Sequence, residues 1–573
     1  MRKPVTKGLC ATALASLLIA VAADAQSPAP PIAYVSQGEQ WTIATRRAFY
    51  AGDQGSAWMP LAWLRAINAP DGQPFLADQL ARYGYLPNPF ATNGLPIGFT
   101  TTGAPGAEQA GLTCAACHTR NIVANGITYR IDGGPAIVDF QSLLSDAVAG
   151  LRQATAPGAA FDGFAARVLG PAPSRQAVDQ LRADVDLWLK REGTMVERAM
   201  PRPDIWGLGR LDALSMIFNR VAGLDIGPAP DYLIADNIQP ADAPVRYPFL
   251  WNAAIQDKTQ WPGFAANGND LLGLARNLGE VYGVFATFHP VRSGTFIRKM
   301  DFKKINSANI KGLQTLETLI GKIGAPRWPF SVDTQLAVSG QAIFNRSTAQ
   351  GGCADCHGIK PGKTRFFNQK TWATPLQDVG TDSREYAILA REAQSGVFNG
   401  SRLLLVGPQI KPRDKSFNLL SFAVVGSLAQ HFIGRPPLIG MGPVAVPSNT
   451  LPNNLKGLAQ AFDPRATRPT GDFKYESRVM EGIWAAAPYL HNGSVPTLAD
   501  LLKPAAERPV RFAVGPNYDL QNIGLAATQP GTAVRETTGC EARDSGNSRC
   551  GHEFGTRLSP EEKAALLEYL KLL

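Results

Sequence analysis

Thr113-Cys114-Ala115-Ala116-Cys117-His118 and Gly352-Cys353-Ala354-Asp355-Cys356-His357 are the two stretches on which the fold turns. Both carry Cys-x-x-Cys-His, the attachment pattern of a c-type haem. The spacing has a chemical reason. Each thiol adds to one vinyl group of the porphyrin, so the cysteines must sit one turn apart. The next residue must then bring an imidazole to the iron. A zinc site and a redox dithiol are the other readings of such a pair. Zinc wants further Cys or His close by, and neither stretch has them. A dithiol enzyme has no need of a histidine directly after its second cysteine. The sequence therefore predicts two covalently bound haem c groups, one on Cys114, Cys117 and His118, the other on Cys353, Cys356 and His357.

The two histidines are too far apart for one small cytochrome fold, so two haem domains are expected. Gly324, Pro326 and Pro329 cluster between them and suggest a boundary near residues 323–335. Residues 26–330 would form the N-terminal haem domain with insertions, and residues 331–573 a C-terminal cytochrome c domain. Gly340–Phe344 opens an amphipathic stretch leading into the second motif. Ser559-Pro560-Glu561-Glu562 is a capping box with Pro at the first helical position. Leu566, Tyr569, Leu570 and Leu573 follow at helical spacing. Val178–Leu189 and Leu272–Phe285 are helical by period, and Pro326–Pro329 and Pro436–Pro447 read as loops. The expected class is mainly α, two cytochrome c-like haem domains with long loop-rich insertions.

Composition is that of a globular protein: 573 residues, 45% hydrophobic, 18% charged, with 56 Gly and 44 Pro that favour short elements and loops. Residues 1–25 read as a signal peptide. Arg2, Lys3 and Lys7 precede an apolar stretch, and Ala23-Asp24-Ala25 is an A-x-A cleavage site. The apolar run is short for a membrane span, although an uncleaved anchor is the alternative. No later run is long enough to cross a bilayer, so a periplasmic or secreted protein is expected. The formal charge is +9, of which the signal carries +2. Four haem propionates would lower the remainder to about +3. No dense basic tract interleaved with aromatics is present, which argues against nucleic acid. Of seven cysteines, Cys10 leaves with the signal and four serve the haem motifs. Cys540 and Cys550 are left, either as a disulfide closing a short loop or as free thiols.

Ala487-Pro488-Tyr489-Leu490-His491-Asn492-Gly493-Ser494-Val495-Pro496-Thr497-Leu498 resembles the second haem domain of the bacterial dihaem cytochrome c peroxidase superfamily. Gly111-Leu112-Thr113, Tyr129–Pro135, Pro248-Phe249-Leu250-Trp251, Gly546-Asn547-Ser548 and Gly551–Gly555 are similar to its dihaem rubber (latex) oxygenase branch. The resemblance implies an N-terminal haem that binds oxygen and a six-coordinate C-terminal haem that relays electrons. Two activities are then open: oxidative cleavage of a carbon–carbon double bond in an apolar alkene, or reduction of hydrogen peroxide with electrons from a small cytochrome. A non-catalytic electron-transfer cytochrome is a third. The resemblance also implies a calcium ion held partly by carbonyls near Ala486 and Pro488.

Four histidines remain: His289, His431, His491 and His552. In classical peroxidases the histidine at the position of His491 is not the iron ligand, and a later Met is. Residues 500–510 hold no Met, His or Tyr. His552 is therefore the first choice for the sixth ligand of the second haem, and His491 the second. His289 could be a distal base of the first haem, or simply a loop histidine. Trp251 and Trp261 are the candidates for an aromatic between the haems, with core packing as the alternative. Arg210 and Asp212 suit haem propionates, a substrate channel or a structural salt bridge equally well.

Overall fold

The computed structural model describes residues 32–200, 202, 206–292, 300–365, 368–402, 409–432 and 473–573. The expected signal peptide, Cys10 and the expected loop at Pro436–Pro447 lie outside the described residues. Strand Gln109–Leu112 runs between Met59–Pro60 and Phe99–Thr102 in an antiparallel sheet. It delivers the chain to a single helical turn, Cys114–Cys117. Thr119–Ala124 and Ile127–Asp132 then form a hairpin. Asn125 and Gly126 at its tip both take positive φ (51° and 73°), the two-residue turn whose twist matches paired strands. Ile32–Tyr34 adds a parallel third strand.

Asp132 ends that hairpin as a buried carboxylate. It accepts from Trp41 Nε1 at 2.8 Å, Arg46 Nε at 2.6 Å and Tyr50 Oη at 2.6 Å. The helix Ile43–Tyr50 is thereby pinned beside the first haem motif. Within Tyr129–Pro135, this residue has a structural task of its own.

Helices Phe140–Ala154, Ala159–Leu169 and Arg175–Trp188 cover this region. Leu181 and Val185 are buried from the last of them, with Val178 and Trp188 packed at the edge of the same core. The helix continues as a π-helical turn over Leu189–Gly193. Asp270–Gly283, capped by Asn269, and the apolar Ser416–Phe432 form a middle core. Near the C-terminus, Thr334–Phe344 crosses Pro560–Leu570, the latter opened by the Ser559/Glu562 capping box. Gly340 permits the crossing, because a Cβ there would lie 1.9 Å from the Ala565 carbonyl oxygen.

Helix takes about 39% of the structure and strand about 15%. The class is therefore mixed, not mainly α. The strands are short, most of them two or three residues paired across loops. Such fragments have no length over which a two-residue period could be read from sequence. A third core joins the two ends of the chain: Trp41, Ile131 and Trp251 pack in one cluster with Phe344, Trp484 and Leu566.

Candidate haem sites

Each Cys-x-x-Cys-His motif opens on a cavity. The first is lined by Cys114, Cys117 and His118, the second by Cys353, Cys356 and His357. His118 Nδ1 lies 2.8 Å from the Pro248 carbonyl, and His357 Nδ1 lies 2.7 Å from the Arg478 carbonyl. A carbonyl only accepts, so each Nδ1 carries the proton and each Nε2 keeps its lone pair for a metal. Burial pushes the His118 imidazole down to about 4 and lowers that of His357 as well. Both are then neutral near pH 7, the form that ligates.

His552 also lines the second cavity, and its ring centroid is 6.1 Å from that of His357. Two imidazoles sharing one metal through bonds of about 2 Å have centroids about 6 Å apart. The loop that carries His552 is held on several sides. Cys540 and Cys550 form a disulfide two residues before it. Arg508 donates to the carbonyls of Arg549, Gly551 and His552 at 2.7, 2.7 and 3.1 Å. His552 N donates to Val379 O at 2.8 Å. Gly551 takes φ +74° against the Gly380 backbone, where a Cβ would sit 2.2 Å from a carbonyl carbon. His552 itself has φ 51°, an uncommon conformation for a side-chain-bearing residue.

The donor set fits a haem. Paired thiols and a proximal imidazole converge on each cavity. Buried cationic donors without a protein partner stand at the second cavity, Arg246 Nη1 and Arg478 Nη1, where a haem's carboxylates would satisfy them. Among the described residues, no group of three or more His, Cys, Asp or Glu converges as a bare metal-ion site.

The other expected residues are placed as follows. His491 lines the second cavity, stacked on Tyr475 at 3.9 Å. Trp261 lines it too, with the Arg246 guanidinium 4.7 Å from its ring. Trp251 lines neither cavity; it stacks on Phe249 at 4.7 Å and donates to Glu481 O. The aromatic residue that lines both cavities is Phe249, together with Glu476 and Arg478. His289 also lines neither cavity, and it is stacked on Tyr232 at 3.9 Å with Nδ1 3.7 Å from Asp225. His289 thus stands apart from both cavities, beside Asp225 at the end of the π-helical turn Arg220–Asp225. Arg210 and Asp212 do not pair with each other. Asp212 caps helix Ala213–Asn219, and Arg210 donates to Asn547 Oδ1 and the Asn492 carbonyl. Beside the Ala-Pro-Tyr segment, the Arg120 guanidinium occupies the carbonyls of Ala485 and Ala487 at 3.1 and 2.5 Å.

Several site residues carried no signal in the sequence. The face of helix Asp270–Gly283 brings Arg276, Asn277 and Glu280 to the first cavity. Glu280 accepts from Gln260 Nε2 at 2.6 Å. Desolvation, opposed by Arg276, holds its carboxyl above the usual range. Met216 lines the same cavity, and no second imidazole does among the described residues.

A RoxA-like, cytochrome c-like family model matches residues 474–513. The uncharacterized protein y4iJ of Sinorhizobium fredii (strain NBRC 101917 / NGR234) is 30% identical over 600 residues, covering 93% of this chain and 92% of its own length. The chain belongs to the y4iJ family. A second uncharacterized protein of that strain, y4iM, is 28% identical over 233 residues, which is 39% of this chain and 43% of y4iM. For this member of the y4iJ family, the matched segment, RoxA-like and cytochrome c-like, points to a c-type cytochrome of the oxidoreductase class that carries haem c. The segment contains Glu476, Arg478, His491 and Arg508, which line the second cavity or brace it. Among the described residues no helix is long and apolar enough to cross a membrane.

Proposed function

We propose that the protein is an exported dihaem oxidoreductase with unlike haems. Cys114, Cys117 and His118 hold a haem whose sixth position is open to oxygen. Cys353, Cys356, His357 and His552 hold a six-coordinate haem that relays electrons. The observation that carries this reading is an asymmetry. In the second cavity His552 faces His357, whereas among the described residues His118 is the one imidazole lining the first. The haem supplies the oxygen and electron chemistry; the chain supplies ligands, orientation and a shielded pocket. Leu112, Phe140, Ile217 and Val284 give the first cavity apolar walls that suit an apolar alkene. Oxidative cleavage of such an alkene is the preferred activity.

Glu280 favours a second reading, a peroxidase. A carboxyl held above its usual range beside the reactive pocket can exchange protons with bound peroxide. A small cytochrome would then donate electrons to the second haem. Two assays separate the readings: oxygen uptake with carbonyl products from an alkene, against peroxide loss with ferrocytochrome oxidation. Ligand-binding spectra test what both share. If neither iron accepts an exogenous sixth ligand in any redox state, both fail and a simple electron carrier is left.

A further inference from the structure

We infer that Arg478 joins the two proximal histidines into one hydrogen-bonded chain and governs how strongly the two iron sites sense each other. The inference rests on the dihaem reading above. His118 Nδ1 donates to Pro248 O at 2.8 Å. The next residue, Phe249, gives its carbonyl to Arg478 Nη2 at 2.9 Å. The carbonyl of Arg478 itself accepts from His357 Nδ1 at 2.7 Å. Three hydrogen bonds and the covalent bonds of Pro248, Phe249 and Arg478 therefore lead from one imidazole to the other.

The link is rigid. Arg478 is 7% exposed, and its guanidinium lies 4.1 Å from the centroid of the Phe249 ring. Nη2 also donates to Gln256 Oε1 at 2.9 Å, and Nε is 3.6 Å from Glu476 Oε1. Phe249 is backed in turn by Trp251. Phe249, Arg478 and Glu476 are the residues shared by both cavity walls, so the chain of bonds runs through the partition itself.

The partner of a metal-bound imidazole's second nitrogen tunes its basicity and orientation. Linked hydrogen bonds polarise one another. A change of charge at one iron is thus felt along this chain at the other. Exchange between the sites is balanced: one iron loses the electron that the other gains. Both Nδ1 protons stay where they are, and no further reactant is needed. Arg478 is a positioning residue, acting through His118 and His357.

Arg478→Gln removes the guanidinium link yet leaves both backbone carbonyls that bind the imidazoles. The test uses the purified holoprotein, with haem content by mass, redox titration followed by visible and EPR spectra, and the rate of electron exchange after photolysis of carbon monoxide from the half-reduced protein, in which one iron is ferrous and the other ferric. Changing the direct partner of a metal-bound histidine typically costs about 10–100-fold in metal affinity or activity. This variant keeps those partners and breaks only the bond between them, so exchange should slow by about tenfold, the lower end of that range, with both haems still attached. Arg478→Lys keeps the charge but not the two-pronged reach, and should also be slow. Glu476→Gln/Arg478→Gln removes both buried charges, avoids leaving either unpaired, and should match the single variant. Unchanged exchange and potentials in a correctly loaded double variant overturn the inference. Fewer than two haems on the wild type overturns the underlying reading instead.

Discussion

His552 faces His357 across the second cavity with ring centroids 6.1 Å apart, on a loop fixed by Arg508 and a disulfide. Sharing one iron between them predicts a low-spin haem. His552→Ala should convert that haem to high spin, with the first haem's spectrum unchanged. Retained low-spin absorption would transfer the ligand role to His491, the other imidazole on that cavity besides His357.

Reducing the Cys540–Cys550 link, or replacing both by Ser, frees the segment that carries His552. Closure of a loop this short, with the cysteines ten positions apart, stabilises by about 2–3 kcal/mol. Denaturant unfolding should show that loss. The second haem should also become easier to attack with carbon monoxide, while the first is unaffected. Equal accessibility in both proteins would mean that the disulfide does not hold His552.

Asp132 is the buried acceptor for Arg46, Trp41 and Tyr50. Asp132→Ala strands the Arg46 guanidinium, whose side chain is only 7% exposed. Breaking one partner of a buried pair costs about 3–5 kcal/mol. A drop below 1 kcal/mol in chemical unfolding (about one surface pair's worth) would show that the N-terminal helix is held by packing alone.

Asp225 offers a pH signature away from the haems. Burial pushes its carboxyl up to about 7, against the attraction of Arg191 and Arg220 and with Glu192 adding repulsion. His289, facing it, is pushed down to about 3 by burial and stays neutral across this window. The folded protein thus keeps the Asp225 proton to higher pH than the unfolded chain, where Asp titrates near about 3.9. Its contribution is full below that value and is lost as the pH rises through about 7. Asp225→Asn holds the neutral state at every pH. Its Tm relative to wild type should therefore rise from about pH 5 to about pH 8. A flat difference would contradict this.

Glu280→Gln separates the two enzymatic readings from within the first pocket. If Glu280 moves protons for peroxide, turnover should fall on the order of 100-fold or more, with haem content unchanged. Alkene oxidation, which asks no such proton of Glu280, should survive the change.

Much of the helical frame was legible because its signals are local. Asp270–Gly283, Arg175–Trp188 and the capped Pro560–Leu570 follow from periodicity and capping chemistry. The short strands were not legible, since residues such as Arg210–Leu211 and Val245–Arg246 pair only because distant loops meet. The partition shows the same limit at the site. Trp251 was chosen with Trp261, but it stands behind Phe249, stacked on it at 4.7 Å, and no local pattern tells which ring of a stacked pair meets the cavity. Glu280 sat on a stretch legible only as helical by period, and nothing in the sequence marked Met216.

The amino-acid order alone carried the expectation of thioether attachment at 114/117 and 353/356, because attachment needs only a spacing between neighbours in the chain. The family resemblance narrowed the expected far-side ligand to two histidines. The tertiary structure decided which imidazole stands opposite His357, which residues separate the cavities, and where His289 goes. Those are relations between segments hundreds of residues apart, fixed by burial and by carbonyls that must find donors, and no local pattern encodes them.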